Sequence, residues 1–338
     1  MNSPIDFTQQ FVEALKSLNP AQRLAVDNIE GPVMVLAGPG TGKTHLLSAR
    51  IGNILNETDA MPNNILCLTY TEAGMKAMRD RLLKLIGPDA HKIHIFTFHA
   101  FCNLVIKENP ELFGNYELEL ISDIEKIEII EKIIDNLPFN HPLVKNINTP
   151  YTNVSRLINL FTNIKKESWE VADLMQKIEK YLDEIPFLEQ FIYKVNRKNI
   201  KKGDPKTSDI EAETQKMRTL SAAIELYPIY LQSMKEKNRY DYDDMVLWVI
   251  RAFKENERVL RNYQEKYQYL LVDEFQDTNG AQNEILQLLT SYWDSPNIFI
   301  VGDDDQSIYE FQGARLKSMI DFYEQYKDSI KVIVLKEN

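Results

Sequence analysis

Long apolar runs are missing from this 338-residue chain. None reaches the roughly 20 residues a membrane-spanning helix needs. The N-terminus, MNSPIDFTQQ, has no basic stretch followed by an apolar one, so no secretory signal is visible. Cysteine is scarce: Cys67 and Cys102 both lie in apolar segments, without metal-ligand spacing. Buried free thiols and a reducing cytoplasm are the expectation. Internal repeats and low-complexity tracts are absent. An excess of positive charge is absent too; the net charge of −11 argues against wholesale coating of nucleic acid.

What is present is 44% apolar and 26% charged residues, the balance of a soluble globular protein long enough for two domains. The negative charge is unevenly placed. Residues 1–110 are balanced, residues 111–240 carry −2, and residues 241–338 carry −9. The acidity gathers around DEFQD and GDDDQ. Carboxylates at such a density suit a divalent metal, and equally a solubilising acidic face.

Short apolar runs recur, each followed by a helical pattern: Val33–Ala37, Ile65–Thr69, His94–Phe98, Tyr269–Val272, Ile298–Val301 and Lys331–Leu335. Buried strands alternating with helices predict an α/β fold with a parallel sheet. From about Ser122 to Asn238 the pattern is helical instead. Ser122-Asp-Ile-Glu125 reads as a capping box, with Ile124, Ile127, Ile130 and Ile134 on one face after it. Ser208-Asp-Ile-Glu211 opens a second helix, which Pro228 would kink or end. Stretches 136–150 and 196–207 read as loops.

The segment "AGPGTGKTHL" (37–46) follows the first run. Strand, glycine-rich loop and helix make a phosphate cradle, because glycine lets backbone N–H groups turn inward and the helix N-terminus adds its own. Gly38, Pro39, Gly40, Thr41, Gly42, Lys43, Thr44 and His45 form the expected triphosphate site. Lys43 would reach the β- and γ-phosphates, and Thr44 would ligate Mg²⁺. Ala37 stands where the usual pattern begins with glycine. A metal-holding partner is found in "YLLVDEFQDT" (269–278), an apolar strand ending in two carboxylates. Asp273 would hold Mg²⁺, and Glu274 would take a proton from an attacking water.

These blocks resemble, in order, the superfamily 1 DNA helicases of the UvrD/Rep/PcrA type, over residues 18–110 and 240–338. "LNPAQRLAV" is similar to the family's Q motif, "AGPGTGKT" and "LVDEFQDTN" to motifs I and II, and "LTYTEAGMKAMRDRL" to motif Ia. "FTFHAFC" is similar to the next DNA-contact motif, "YDYDDMV" to the return into the first domain, and "VGDDDQSIYEFQGA" to motif III. The resemblance implies a RecA-like P-loop NTPase domain (residues 1–115 and 240–338) interrupted by a helical accessory domain (116–239). It implies an ATP- and Mg²⁺-dependent enzyme moving, by analogy, 3′-to-5′ on single-stranded DNA and at single-strand/duplex junctions.

Gln22 would read the adenine edge, since an amide donates and accepts at once. Gln306 would bond a γ-phosphate and complete the catalytic set with Lys43 and Glu274. Tyr70, Tyr309 and Phe311 would stack on bases, while Thr71, Thr97 and His99 would contact backbone phosphates. Core packing is the other role open to the aromatics, and a purely structural one to His99. The basic stretch 193–206 is either a phosphate contact or a solvated loop.

Departures from the family are His45 in place of arginine, Thr71-Glu72-Ala73-Gly74-Met75 in motif Ia, and Phe311-Gln312 near the end of motif III. The motif Ia variant is also similar to helicase-nucleases of the RecB/AddA type; a non-catalytic nucleic-acid-binding P-loop protein is the third class. "IKVIVLKEN" resembles the strand leading to motif IV. The expectation is therefore an N-terminal part, lacking the second motor lobe and its arginines, that binds ATP and unwinds nothing alone.

Overall fold

The computed structural model describes residues 7–38, 40–114, 118–144, 150–196, 201–303 and 313–335, with side chains for all of these except 313–316. In chain order the elements are α1 (Gln9–Ser17), α2 (Pro20–Asp27), β1 (Val33–Ala37), α3 (Lys43–Glu57), β2 (Ile65–Thr69), α4 (Glu72–Ile86), β3 (His94–Thr97), α5 (Phe98–Glu108) and α6 (Pro110–Phe113). Then come β4 (Glu119–Leu120), α7 (Asp123–Asp135), α8 (Val154–Lys166), α9 (Val171–Glu184), α10 (Thr207–Ile224), α11 (Tyr227–Glu236) and β5 (Arg239–Tyr240). The chain continues through α12 (Tyr242–Glu255), α13 (Glu257–Lys266), β6 (Tyr269–Val272), α14 (Gly280–Thr290), β7 (Ile298–Gly302), α15 (Gly313–Tyr326) and β8 (Lys331–Leu335). Two compact units result: Met1–Gly114 with Met245–Asn338, and Asn115–Asp244.

The first unit is built on a six-stranded sheet in the order β3-β2-β6-β7-β1-β8, with every pairing parallel. Parallel strands need cover on both faces, and the central strands are buried throughout. Alternate residues face alternate layers. Val33, Val35, Ile65, Cys67, Leu271, Phe299 and Val301 pack with Phe11, Val26, Leu46, Ile51, Met78 and Leu82 of α1 to α4. Met34, Leu66, Leu68, Leu270, Val272, Ile298 and Ile300 are buried outside that cluster. Because all strands run one way, their C-terminal ends lie along one edge, where ligands bind in such sheets. The loop after β1, the turn after β6 and the exits of β2 and β3 all open there.

The third apolar run ends one residue earlier than expected: β3 stops at Thr97, and Phe98 is the first residue of α5. Thr97 accepts a hydrogen bond from the Ala100 amide and so starts the helix. Both cysteines are buried and free, and burial pushes their thiols up in pKa. No helix among the described residues is long and apolar enough to cross a membrane.

Among its described residues the second unit is helical apart from β4 and β5, which pair in parallel as Glu119 with Arg239 and Leu120 with Tyr240. The capping box at Ser122 and Glu125 forms as expected. The apolar face after it differs. Ile129, Ile130, Ile133 and Ile134 are buried, whereas Ile124 is 70% exposed and Ile127 39%. Closely spaced isoleucines offer two overlapping helical stripes, and packing against α8 and α11 selects the one centred on Ile130, Ile133 and Ile134. Ser208 does not open its helix. α10 begins at Thr207 without a side-chain cap, and Pro228 lies in the first turn of α11, where its missing N–H costs nothing.

Candidate nucleotide site and strand-exit surface

The loop between β1 and α3 turns on Gly40 and Gly42, with φ of 80° and 81°, values that side chains with a Cβ rarely adopt. Gly42 is the N-cap of α3, so Lys43 and Thr44 begin the helix with amides that have no partner among the described residues. Thr41 braces the loop: its hydroxyl donates to the Gly38 carbonyl at 2.8 Å. A Cβ placed on Gly38 would meet nothing within 4 Å, so the space beside the loop is open. His45 is half-buried; burial and then the charge of Arg81 lower its pKa. Pro39 lies outside the described residues.

Two strands away, β6 ends in Asp273 and Glu274. Glu274 holds a left-handed conformation (φ 49°, ψ 45°), unusual for a residue with a side chain. That twist brings its carboxylate to Lys43, with Nζ to Oε2 at 2.8 Å. Gln276, a residue for which sequence reasoning found no role, joins this pair to β7. Its Nε2 donates to Glu274 Oε2 at 2.9 Å, and its Oε1 accepts the Asp303 amide at 3.0 Å. The side chain is fully buried. The available signal was its polar side chain in the turn directly beyond a buried strand.

Asp273 is buried, and its pKa is pushed up to about 6, by burial first and by the neighbouring Glu274 charge second. Oδ1 accepts the Glu274 amide. The Thr44 hydroxyl has no hydrogen-bond partner among the described residues. A hydroxyl and an under-neutralised carboxylate are hard oxygen donors that fit Mg²⁺, which commonly takes one or two protein ligands and fills its shell with water and phosphate oxygens. Among the described residues no group of three or more His, Cys, Asp or Glu could hold a metal by itself.

Gln22 stands in the first turn of α2. Its Oε1 accepts the Asn19 amide at 3.0 Å, and Nε2 donates to the Thr41 carbonyl at 3.1 Å. These bonds set the amide's orientation and tie it to the cradle. One lone pair and one N–H remain for a ligand.

At the exits of β2 and β3, Thr71 and Thr97 cap α4 and α5, accepting from Gly74 and Ala100. Capping accounts for both threonines without a ligand. Gly74 has its own reason: a Cβ there would lie 2.8 Å from the Thr69 hydroxyl oxygen. Tyr70 is 55% exposed, which removes core packing as its explanation. His99 is half-buried in the first turn of α5. Gln306, Tyr309 and Phe311 lie outside the described residues, as do residues 197–200 of the basic stretch. Asp303, the third residue of the motif III block, is buried directly after β7, the strand between those that carry the cradle and the acidic turn.

Comparison with known proteins gives the family. The UvrD/REP helicase N-terminal domain family matches residues 18–327. The ATP-dependent DNA helicase PcrA of Staphylococcus aureus is 29% identical over 325 residues, which cover 96% of this chain and 38% of the relative. PcrA of Bacillus subtilis is 28% identical over 327 residues with the same coverage. The chain thus spans about two fifths of the length of these curated relatives.

Proposed function

Because the chain belongs to the UvrD/REP helicase N-terminal domain family, we propose that it is the ATP-binding lobe of an ATP-dependent DNA helicase. The observation that carries this is the 2.8 Å contact between Lys43, at the head of the P-loop helix, and Glu274, beyond the β6 exit. It joins the phosphate-binding cation to the residue suited to take a proton from water.

In this reading the loop amides and Lys43 bind the β- and γ-phosphates, and Gln22 reads adenine. Thr44 and Asp273 would hold Mg²⁺, which would neutralise phosphate charge. Phosphate entering the cradle displaces Glu274 from Lys43. Glu274, thus freed, orients a water and takes its proton. Gln276 passes any movement of Glu274 to the Asp303 amide, at the start of the motif III segment, where Gln306 completes the catalytic set. Tyr70, Tyr309 and Phe311 offer ring faces to single-stranded DNA. Thr71, Thr97 and His99 stand at helix N-termini facing its phosphates. Movement 3′-to-5′ and action at junctions require a second lobe that closes on the nucleotide and supplies arginine, worth about 10³–10⁵ in rate in related NTPases. The 338-residue chain alone then binds Mg·ATP weakly, hydrolyses it very slowly and unwinds nothing.

ATP turnover by this chain, with and without a single-stranded oligonucleotide and with Glu274→Gln as the blank, tests the reading. Slow turnover above the blank is expected. Turnover equal to the blank, together with no measurable ATP binding, would remove the catalytic assignment. Strand displacement by the chain alone would overturn the requirement for a second lobe.

A further inference from the structure

Helix α2 carries Gln22 but has only eight residues, too few to be stable by itself in water. The carbonyls of a helix's last turn lack internal partners; in α2 Leu24 O still accepts the Asn28 amide at 3.2 Å, and Ala25, Val26 and Asp27 O find partners beyond the helix ladder. Leu24 O accepts Asn28 Nδ2 at 2.6 Å, and Asp27 O accepts the Ile29 amide at 3.0 Å. The two between them are taken by side chains of α3. Arg50 Nη1 donates to Ala25 O at 2.5 Å, and Asn53 Nδ2 donates to Val26 O at 3.2 Å. Arg50 Nη2 also donates to Ile29 O at 3.0 Å.

Arg50 and Asn53 are three residues apart, hence on one face of the helix that begins with Lys43. Both are buried, at 1% and 3% exposure. The Arg50 guanidinium lies 4.2 Å from the ring centroid of Phe299. Burial lowers its pKa to about 9, against the opposing influence of Tyr269 and Glu30, so it is charged at neutral pH. An apolar side chain would cover α2 without that desolvation. What an apolar contact lacks is direction: it lets a short helix slide or turn, whereas bonds to named carbonyls set both its axial position and its rotation.

We propose that Arg50 and Asn53 are positioning residues for nucleotide-base selection, locking α2 onto the P-loop helix so that Gln22 is presented at a set place beside the bound triphosphate. This rests on the reading of Gln22 as the adenine contact. Gln22 is tied to Thr41 at one end of α2, and the clamp holds the other end. With Oε1 held as acceptor and Nε2 as donor, the amide matches adenine's amino group and ring nitrogen. It mismatches guanine, which offers two acceptors on the corresponding edge.

The test is the ratio of ATP to GTP affinity of the 338-residue chain, measured by competition against ribose-labelled methylanthraniloyl-ADP, with a thermal melt of each variant. The wild type should prefer ATP by roughly tenfold, the worth of about one hydrogen bond. Gln22→Ala should bring the ratio close to one. Asn53→Leu and Arg50→Lys should reduce the preference about threefold while leaving GTP affinity within about twofold of wild type. Arg50→Met should reduce it further; should that variant fail to fold, the other two decide. A merely structural role would lower the melting temperature and leave the ratio alone. A wild-type ratio in the folded clamp variants, with the ratio lost in Gln22→Ala, would overturn this inference and spare the adenine reading. An unchanged ratio in Gln22→Ala would overturn both.

Discussion

Each unit of this chain sets a lysine against carboxylates, and the two arrangements differ in how far they are closed. In the helical unit, Lys165 lies 2.9 Å from Asp241 and 2.7 Å from Asp244, beneath the Tyr230 ring, with 1% of its side chain exposed. In the α/β unit, Lys43 meets Glu274 at 2.8 Å, with side chains 11% and 36% exposed. The chemistry of the pair is the same, but the consequence is not. An ion pair that water reaches on its carboxylate side is worth about 0–1 kcal/mol, so in the proposed reading Glu274 would give Lys43 up to an incoming phosphate at little cost. Lys165 cannot leave without stranding two desolvated charges. Closure, not pairing, separates a pin from a placeholder.

The largest effect that would break this comparison is in the helical unit. Lys165→Met removes the cation that bridges Asp241 and Asp244, leaving among the described residues only Lys126 at 4.0 Å from Asp241, and should cost about 3–5 kcal/mol in chemical unfolding of that unit. A loss below about 1 kcal/mol would put both lysines in one class. Lys43→Met should change stability by less than about 1 kcal/mol yet weaken ATP binding at least about tenfold, as seen by calorimetry. Normal ATP affinity in that variant would remove Lys43 from the site.

The two lysines also differed in how legible they were. Lys43 is marked by its neighbours, because a strand, three glycines and a helix must surround a phosphate-binding lysine whatever the rest of the chain does. The same local logic located all six strands of the main sheet and the Asp273–Glu274 turn. Lys165 has no such marker. It is one of two adjacent lysines near the end of an amphipathic helix, and only tertiary packing decides which is buried. Asp241 and Asp244 were visible only as part of a block resembling the family. The isoleucines of α7 show the same limit, since periodicity leaves two stripes open and the neighbouring helices choose. Gln276, Arg50 and Asn53 escaped because each acts on backbone atoms that are distant in sequence, and residue types carry no record of such partners.

A smaller effect sharpens the contrast at the open site. Glu274→Gln removes the charge that occupies Lys43 before nucleotide arrives. ATP should then bind about two- to fivefold more tightly, while turnover falls to that of a protein-free control. Weaker binding would mean that Glu274 helps to hold the nucleotide or its metal and is no mere placeholder.

The smallest expected effect comes from protons in the closed cluster. Burial outweighs the attraction of Lys165 and, with the charge of Asp241, pushes the pKa of Asp244 up to about 6. For Asp241 the balance is reversed: burial acts to raise its pKa, but the Lys165 charge and hydrogen bonds hold it below the usual carboxylate value. Lys126 stands 4.0 Å from Asp241, and Tyr227 and Tyr230 face the pair from α11, their own pKa values raised by burial. A carboxyl whose pKa is higher folded than unfolded adds stability that is full below about pH 4 and lost as the pH rises through about 6. Asp241 has the opposite sign, and its contribution disappears only at lower pH. Between about pH 4.5 and 6.5 the helical unit should therefore lose stability relative to its Asp244→Asn variant. The substitution costs a hydrogen bond at every pH, which shifts the curve without changing its slope. Urea midpoints of both proteins across that range give the comparison. Parallel curves would show that Asp244 stays ionised, and that Lys165 neutralises both carboxylates at once.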